Sequence, residues 1–406
     1  MSAQQTLARK QSASALTVAI IVDESAFAAL REPWNALVAR AGENSVFYLH
    51  EWFLAAWAWR KQNAQLFVLC AYSGSILCGI LPLIVEQGIE GAVRVQRLEL
   101  LTVPDTQLCD LIAAPEQASE VAQAFAAELG RQSKRWDVMQ LHYLSEATLA
   151  GGVLLQALTK QGFPHETRDG GRNLLIPLDA TWTEYYSTRG RSLKKANNLA
   201  ANRLKKAGEI RVEWIEPGSG EAASVEHALA TVIEVSRRSW KQETGRSLDR
   251  PGPQAFIRTL TQLAHARGWL SLWLIYINDQ ALAMEYQLVY EGKVHALRAD
   301  FDAGCIEISP GSYLFRHLLE AMCGRGLKRY YMGPGENAYK TRWSEDGDSM
   351  HSVYVYGKSL RGRFAWLNES VLKPRARSLR DKFSVLRRKA AAPAANPKSD
   401  SEPAGE

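Results

Sequence analysis

Two stretches in the last third of the chain concentrate residues able to do chemistry. The first is Ser309-Pro310-Gly311-Ser312, set directly before a run with helical spacing. A turn that opens a helix leaves backbone N–H groups unpaired, and the helix dipole adds positive character there. Such a place is a ready seat for a pyrophosphate. Gly311 permits close approach to the backbone, and Arg316 stands one turn in. The plainer reading is that Ser309 or Ser312 only caps the helix. The second stretch is TyrTyrMetGlyProGlyGluAsnAlaTyrLysThrArgTrpSerGlu at 330–345. It begins as a strand, breaks at Gly-Pro-Gly, and then presents Glu336, Tyr339, Lys340, Arg342 and Trp343. Polar and aromatic residues just past a strand end line clefts in α/β folds; otherwise they form a solvated loop.

Carboxylates precede both stretches. Glu285 lies on a strand between Met284 and Tyr286; Asp300 stands at the end of the strand ValHisAlaLeuArgAlaAspPhe, which also carries Arg298, and Asp302 follows it. A strand carboxylate can serve as a proton acceptor or simply face water. Trp240 is a candidate for recognition or for packing. His295 and His317 have no metal-type partner spacing, and Cys305 has no His or acidic neighbour that would make it a thiolate. No metal is expected.

These residues need elements to hold them. LeuSerLeuTrpLeuIleTyrIle, the turn Asn278-Asp279-Gln280, and the run from Ala281 to Tyr290 read as a hairpin. The strand at 294–301, a helix over 312–326 and a strand over 327–333 follow. The first half repeats this order: LeuPheValLeuCysAlaTyr and the run from Ile76 form a hairpin, 93–101 a third strand, 116–129 a helix and 136–144 a strand. Before them come a strand at 16–22 and helices at 27–41 and 50–60. A meander followed by a crossover helix, twice over, predicts an α/β or α+β class with two related domains, each a mixed twisted sheet flanked by helices. The expected boundaries are a tail at 1–15, domains at 16–187 and 209–358, a basic linker helix at 188–208, a basic amphipathic segment at 359–389, and a disordered tail at 390–406. The linker helix carries an apolar stripe of Leu193, Ala196, Leu199 or Ala200, and Leu204, with Gly208 as its C-cap.

With 406 residues, the chain is long enough for two cores. Its 46% hydrophobic and 23% charged residues fit a globular protein and exclude disorder over most of the length. A net charge of +6 suits nucleic acid, an anionic membrane surface or an anionic cofactor equally. The 5 cysteines lack CxxC spacing, which argues against a zinc ribbon or disulfide framework and for a reducing, cytoplasmic setting. No apolar run spans a bilayer, and the N-terminal apolar stretch is too short for a signal peptide.

Several motifs in order resemble the CelD-like (cellulose-biosynthesis-associated) branch of the GNAT acetyltransferase superfamily, related to the FemABX transferases. PheTyrLeuHisGluTrp at 47–52 looks like the family's opening motif, and LeuCysGlyIleLeuProLeuIleValGlu its first hairpin. ArgSerLeuLysLysAlaAsnAsnLeu at 191–199 looks like its basic linker helix, and Trp240 with Gly245 its RW…G element. SerProGlySer at 309–312 and GlyProGlyGluAsnAlaTyrLysThrArgTrp at 333–343 are the most specific. The resemblance spans roughly 45–345 and implies tandem GNAT-like domains and acyl transfer. The co-substrate would be acyl-CoA (acetyl-CoA or longer), with its pyrophosphate at Ser309, Pro310, Gly311, Ser312 and Arg316. The chain departs from the usual signature of Arg or Gln before a Gly-x-Gly or Gly-x-Ala loop, so an aminoacyl-tRNA donor of the FemABX type stays open.

The first half's matching segment, ThrValProAspThrGlnLeuCysAspLeuIle, has no Gly, so the second half is expected to bind donor and the first to shape the acceptor cleft. Acyl transfer needs a path for the acceptor proton and donors for developing charge. The resemblance puts Glu285 forward as base and Tyr339 as a donor to the leaving thiolate, and Asp300 and Asp302 join them as catalytic candidates by their place at the expected cleft. It also puts Lys340 and Arg342 forward to hold phosphate or an acidic substrate, while Trp240, Arg298, Glu336 and Trp343 are substrate candidates by their places beside the expected cleft. By the resemblance, the expected acceptor is an amine or hydroxyl of a cell-envelope or exopolysaccharide precursor, a small molecule or saccharide that is lipid-linked if the basic helices touch the inner face of a membrane. A non-catalytic scaffold of a polysaccharide synthesis complex is the remaining reading.

Overall fold

The computed structural model describes residues 16–42, 44–91 and 93–372. Its strands are β1 (Thr17–Ile21), β2 (Ala64–Ser73), β3 (Ile76–Glu90), β4 (Val93–Leu100), β5 (Ile112–Ala113), β6 (Val138–Ser145), β7 (His165–Pro177), β8 (Ile210–Ile215), β9 (Leu270–Ile277), β10 (Gln280–Tyr290), β11 (Lys293–Phe301), β12 (Arg329–Pro334) and β13 (Gly347–Tyr356). The expected meanders form as read. β9 and β10 turn through Asn278 and Asp279, both at positive φ, the backbone a tight hairpin needs.

All of these strands join one mixed sheet in the order β1-β2-β3-β4-β6-β13-β7-β12-β11-β10-β9-β8, with β5 on β3. The two strands at the centre cross between halves. β7, from the first half, pairs with β12, and β13, from the end of the second, pairs with β6. Neither was read from the sequence, nor was β8. β7 hides because a Gly170-Gly171 pair interrupts its alternation. Gly171 has φ +75°, and a Cβ on Gly170 would sit 3.1 Å from the Met350 carbonyl carbon and oxygen, so the pair accommodates an irregularity in the β7–β13 register.

One core runs through both halves, uniting residues such as Phe53, Val121 and Leu141 with Val232, Phe256 and Leu272. The helix His50–Arg60 packs on the helix Pro251–Ala266, with Trp52 edge-on to Phe256 at 5.4 Å. Beside it the buried Glu51 accepts from Arg267 at 2.5 Å. The PheTyrLeuHisGluTrp motif is thus a joint between halves.

The segment expected as one helix over 27–41 divides at Leu30 into Glu24–Ala29 and Arg31–Arg40. The linker helix is Arg191–Ala207, and it buries Leu193, Asn197, Ala200 and Leu204. Asn197 replaces the expected Ala196 and Leu199, which stand exposed; its amide donates to Tyr186 Oη at 3.1 Å. The helix packs on the helix Pro310–Met322. The tails at 1–15 and 390–406 and most of the segment at 359–389 lie outside the described residues.

Candidate functional site

Parallel strands β11 and β12 hydrogen-bond only at their starts, over Lys293–His295 and Arg329–Tyr331. Beyond that they diverge, and a cavity of about 460 Å³ opens between them. The helix Pro310–Met322 forms one wall through Leu314 and Phe315, while Glu285 and Tyr330 line its interior and Trp240 and Ile306 also border it. Strand segments without a neighbour expose N–H and C=O groups that a ligand with amides can pair with.

The helix Pro310–Met322 begins at this cavity. Ser309 precedes it at φ +55°, in the left-handed region, and no side chain caps the helix. The Ser309 hydroxyl donates instead to the Ile306 carbonyl at 3.3 Å. The capping role open to Ser309 and Ser312 is therefore not taken up, and the first-turn N–H groups of Gly311 and Ser312 are left for a ligand. Pro310 fixes the first turn without an N–H of its own. A non-glycine residue in this backbone region carries strain of about 1–3 kcal/mol, a cost often found at ligand clamps.

Glu285 is 4% exposed. Tyr330 Oη donates to its Oε1 at 2.6 Å, and Gln287 Nε2 donates to Tyr330 Oη at 3.0 Å. Ser271 Oγ donates to Gln287 Oε1 at 3.2 Å, and Trp214 Nε1 to Ser271 Oγ at 3.1 Å. The chain of donors has one direction, so the Tyr330 proton points at Glu285. Burial pushes the Glu285 carboxyl up to about 7, with Tyr330 and Lys241 pulling it part of the way back. A carboxylate poised there is matched to proton abstraction near neutral pH. Burial, and then the charge of Glu285, hold the Tyr339 phenol well above its ordinary range. It stays protonated and can donate.

Other candidates are committed elsewhere. Asp300 is an ion-pair partner of Lys241 and accepts from Ser236 Oγ at 2.7 Å. Asp302 caps the short helix Ala303–Ile308 through Gly304 N at 2.9 Å and pairs with Arg238 at 3.2 Å. Arg298 grips Asp105 of the first half, Nε to Oδ1 at 2.6 Å and Nη2 to Oδ2 at 2.8 Å, and also the Arg246 carbonyl. Lys340 Nζ donates to the carbonyls of Gly333, Pro334 and Gly335 at 2.8, 3.2 and 3.1 Å. It ties the Gly-Pro-Gly bend, and burial lowers it to about 8. Trp343 is core, 1% exposed, with its carbonyl accepting from Tyr185 Oη at 2.6 Å. Glu336 pairs with Arg172 at 3.5 Å, and Arg342 bonds back to the Ala338 carbonyl. Arg316 pairs with Glu320 and lies over the Tyr186 ring, away from the cavity. The cavity thus unites Glu285, Tyr339, Trp240, Ser309, Gly311 and Ser312, with Lys340, Arg298 and Asp300 in its walls.

Sequence reading missed Tyr330, Gln287, Lys241, Asp105 and Gln107. The last two belong to the segment without glycine, which reaches across to the second half. Gln107 Nε2 donates to the Ala296 carbonyl at 2.8 Å, so its Oε1 accepts from Asn173 Nδ2 and His295 Nδ1, at 3.3 and 3.2 Å. In the first half, β4 and β6 also pair over a short parallel stretch, Arg97–Glu99 with Val138–Gln140. Beyond it lies a second cavity of about 510 Å³, where Arg60 spans Glu86, Glu99 and the Thr102 carbonyl. Among the described residues no cluster of His, Cys, Asp and Glu could hold a metal, and no helix is long and apolar enough to cross a membrane.

Residues 191–341 match the family described as acetyltransferase (GNAT) domain. Among solved structures, FemX aligns with a TM-score of 0.51 at 11% identity, covering 84% of this chain and 98% of that one. The C-terminal domain (DUF2156) of a putative lysylphosphatidylglycerol synthetase from Agrobacterium fabrum aligns with a TM-score of 0.50 at 13% identity, covering 85% and 97%. At such identities the likeness is one of fold. No curated protein matches the chain by sequence. Residues 191–341 have a GNAT acetyltransferase fold.

Proposed function

We propose that the chain is an acyl-CoA-dependent acyltransferase acting on an amine or hydroxyl of a cell-envelope or exopolysaccharide precursor. One observation carries the transfer chemistry: an uncapped helix N-terminus and a buried carboxylate poised near 7 open on the same cavity between splayed strands. The N–H groups of Gly311 and Ser312 fit the donor's pyrophosphate. The edge of β11 beyond Ala296, whose carbonyl Gln107 already holds, fits an amide-bearing arm, and Leu314 and Phe315 give it an apolar wall. The acceptor attacks the thioester carbonyl directly. Its proton passes to Glu285, held in line by Tyr330; the C–S bond breaks, Tyr339 donates a hydrogen bond to the departing thiolate while keeping its proton, and Glu285 then gives the acceptor's proton to the thiolate or to water. The polysaccharide assignment, and membership of the CelD-like branch, rest on the ordered motifs from 47 to 343.

Thiol release from acetyl-CoA and longer acyl-CoAs, measured against a panel of amines, amino sugars and sugar alcohols, tests the reading. Acceptor-dependent release that falls at least ~100-fold in Glu285→Gln is expected. Release unaffected by that substitution, or none with any pair, overturns it.

A second reading, transfer from an aminoacyl-tRNA, is favoured by the position of the basic helix. Arg203 Nη1 donates at 2.7 Å to the Glu307 carbonyl, in the short helix Ala303–Ile308 that leads into the helix Pro310–Met322. Exposed Lys195, Lys205 and Lys206 share that helix. Binding of tRNA that falls steeply with salt, and is lost on charge reversal at Lys194, Lys195, Lys205 and Lys206, would support this donor instead.

A further inference from the structure

The helix Leu360–Leu367 is turned inside out. Ser359 caps it, accepting from Gly362 N at 2.9 Å and donating to Asp137 Oδ1 at 2.5 Å. Its inward face is made of small residues. A Cβ on Gly362 would lie 2.5 Å from the Gly357 carbonyl oxygen and 2.6 Å from that of Asp137, so the helix sits directly on backbone. Ala365 fills the next inward position, against Val95, Val138 and Tyr356. The large apolar side chains point out. Leu360 is 85% exposed, Phe364 42% and Leu367 43%, and their i, i+4, i+7 spacing makes one stripe. Trp366 and Leu372 are exposed as well.

The charges around this stripe have one sign. Lys358, Arg361 and Arg363 are exposed, whereas the carboxylate of Glu369 is 9% exposed and drawn to Arg168 at 2.9 Å. An outward apolar stripe flanked by cations alone is the composition of a helix lying in the headgroup layer of a bilayer. Contiguous exposed apolar surface of this kind is uncommon without a partner.

We infer that the face formed by Leu360, Phe364 and Leu367, with Arg361 and Arg363 on its flanks, docks on an anionic lipid surface. The apolar side chains enter the boundary between headgroups and acyl chains, and the guanidinium groups remain at the phosphates. The inference does not depend on the acyl-transfer reading, since none of these residues lines the cavity of the candidate site.

The test is co-sedimentation of the full chain with vesicles of phosphatidylcholine alone and of phosphatidylcholine mixed with phosphatidylglycerol. Binding to the mixed vesicles only, weakening as salt rises, is expected. The pairs Phe364→Ser with Leu367→Ser, and Arg361→Ser with Arg363→Ser, should each weaken it about tenfold. Ile76→Ser, exposed at the β2–β3 turn, should leave it unchanged. All of these side chains are exposed, so unfolding temperatures recorded alongside should match the parent protein. Absence of binding to anionic vesicles overturns the inference, as does equal binding by the paired variants. Self-association lost in the same variants, with no vesicle binding, also overturns it and gives the face to a second copy.

Discussion

Glu285 and Tyr330 show how one buried pair sets the chemistry of the cavity. Because Gln287 donates to the Tyr330 oxygen, Tyr330 has no option but to donate to Glu285, and that bond favours the ionised carboxylate. If Glu285 takes the acceptor proton, activity should rise with pH along a limb centred near 7. Tyr330→Phe should move that limb upward by removing the donor, and a pH–rate profile of the two proteins checks it. Glu285 also leaves a mark on stability. Its folded pKa lies above the unfolded value, so the folded state holds the proton more tightly and stability falls as pH rises from about 4.5 to about 7. Glu285→Gln should recover roughly 2–4 kcal/mol above that window, as read by denaturant unfolding. His295 has the opposite signature. Burial holds it down to about 3, so its contribution is full above the ordinary value near 6.5 and is lost as pH falls toward 3. Between pH 7 and pH 5 that loss is about 2 kcal/mol, and His295→Asn should lose less than the parent protein over the same interval.

At the scale of elements, the hairpins, the crossover helices and the glycine-bearing bends were legible because apolar period and turn chemistry are local. β7 and β13 were not. Their partners lie far along the chain, and β7 carries a glycine pair that spoils its alternation. The site was legible where a residue's role depends on its own neighbours, as with the Ser309–Ser312 turn and Glu285. It was illegible where the role depends on a partner from the other half. Arg298 and Lys340 read as substrate contacts until Asp105 is seen against the one and three carbonyls against the other. Because Lys340 ties the bend after β12, Lys340→Met should loosen residues 333–335. Hydrogen exchange should quicken there while that in β9 stays unchanged.

Across the whole molecule, the continuous sheet, the shared core and the Arg298–Asp105 pair make the halves interdependent. Arg298→Leu leaves Asp105 buried without its partner and should cost about 3–5 kcal/mol, lowering one common unfolding transition rather than separating two. Interdependence also explains how a cavity in the second half is framed by the first: the segment from Thr102 to Ile112 supplies Asp105 and Gln107 to β11 while β11 keeps its free edge toward β12. The central claim is that this free edge and the uncapped helix beside it hold an acyl-CoA. Calorimetric titration of the protein with acetyl-CoA, next to Gly311→Trp, tests it most directly. The atoms nearest to its would-be Cβ belong to Phe301, at 3.5 Å or more, so an indole there fills the space before the helix N-terminus. Saturable binding by the parent protein, lost in Gly311→Trp, is the predicted result. No binding of any acyl-CoA, or binding that the indole leaves intact, would contradict it.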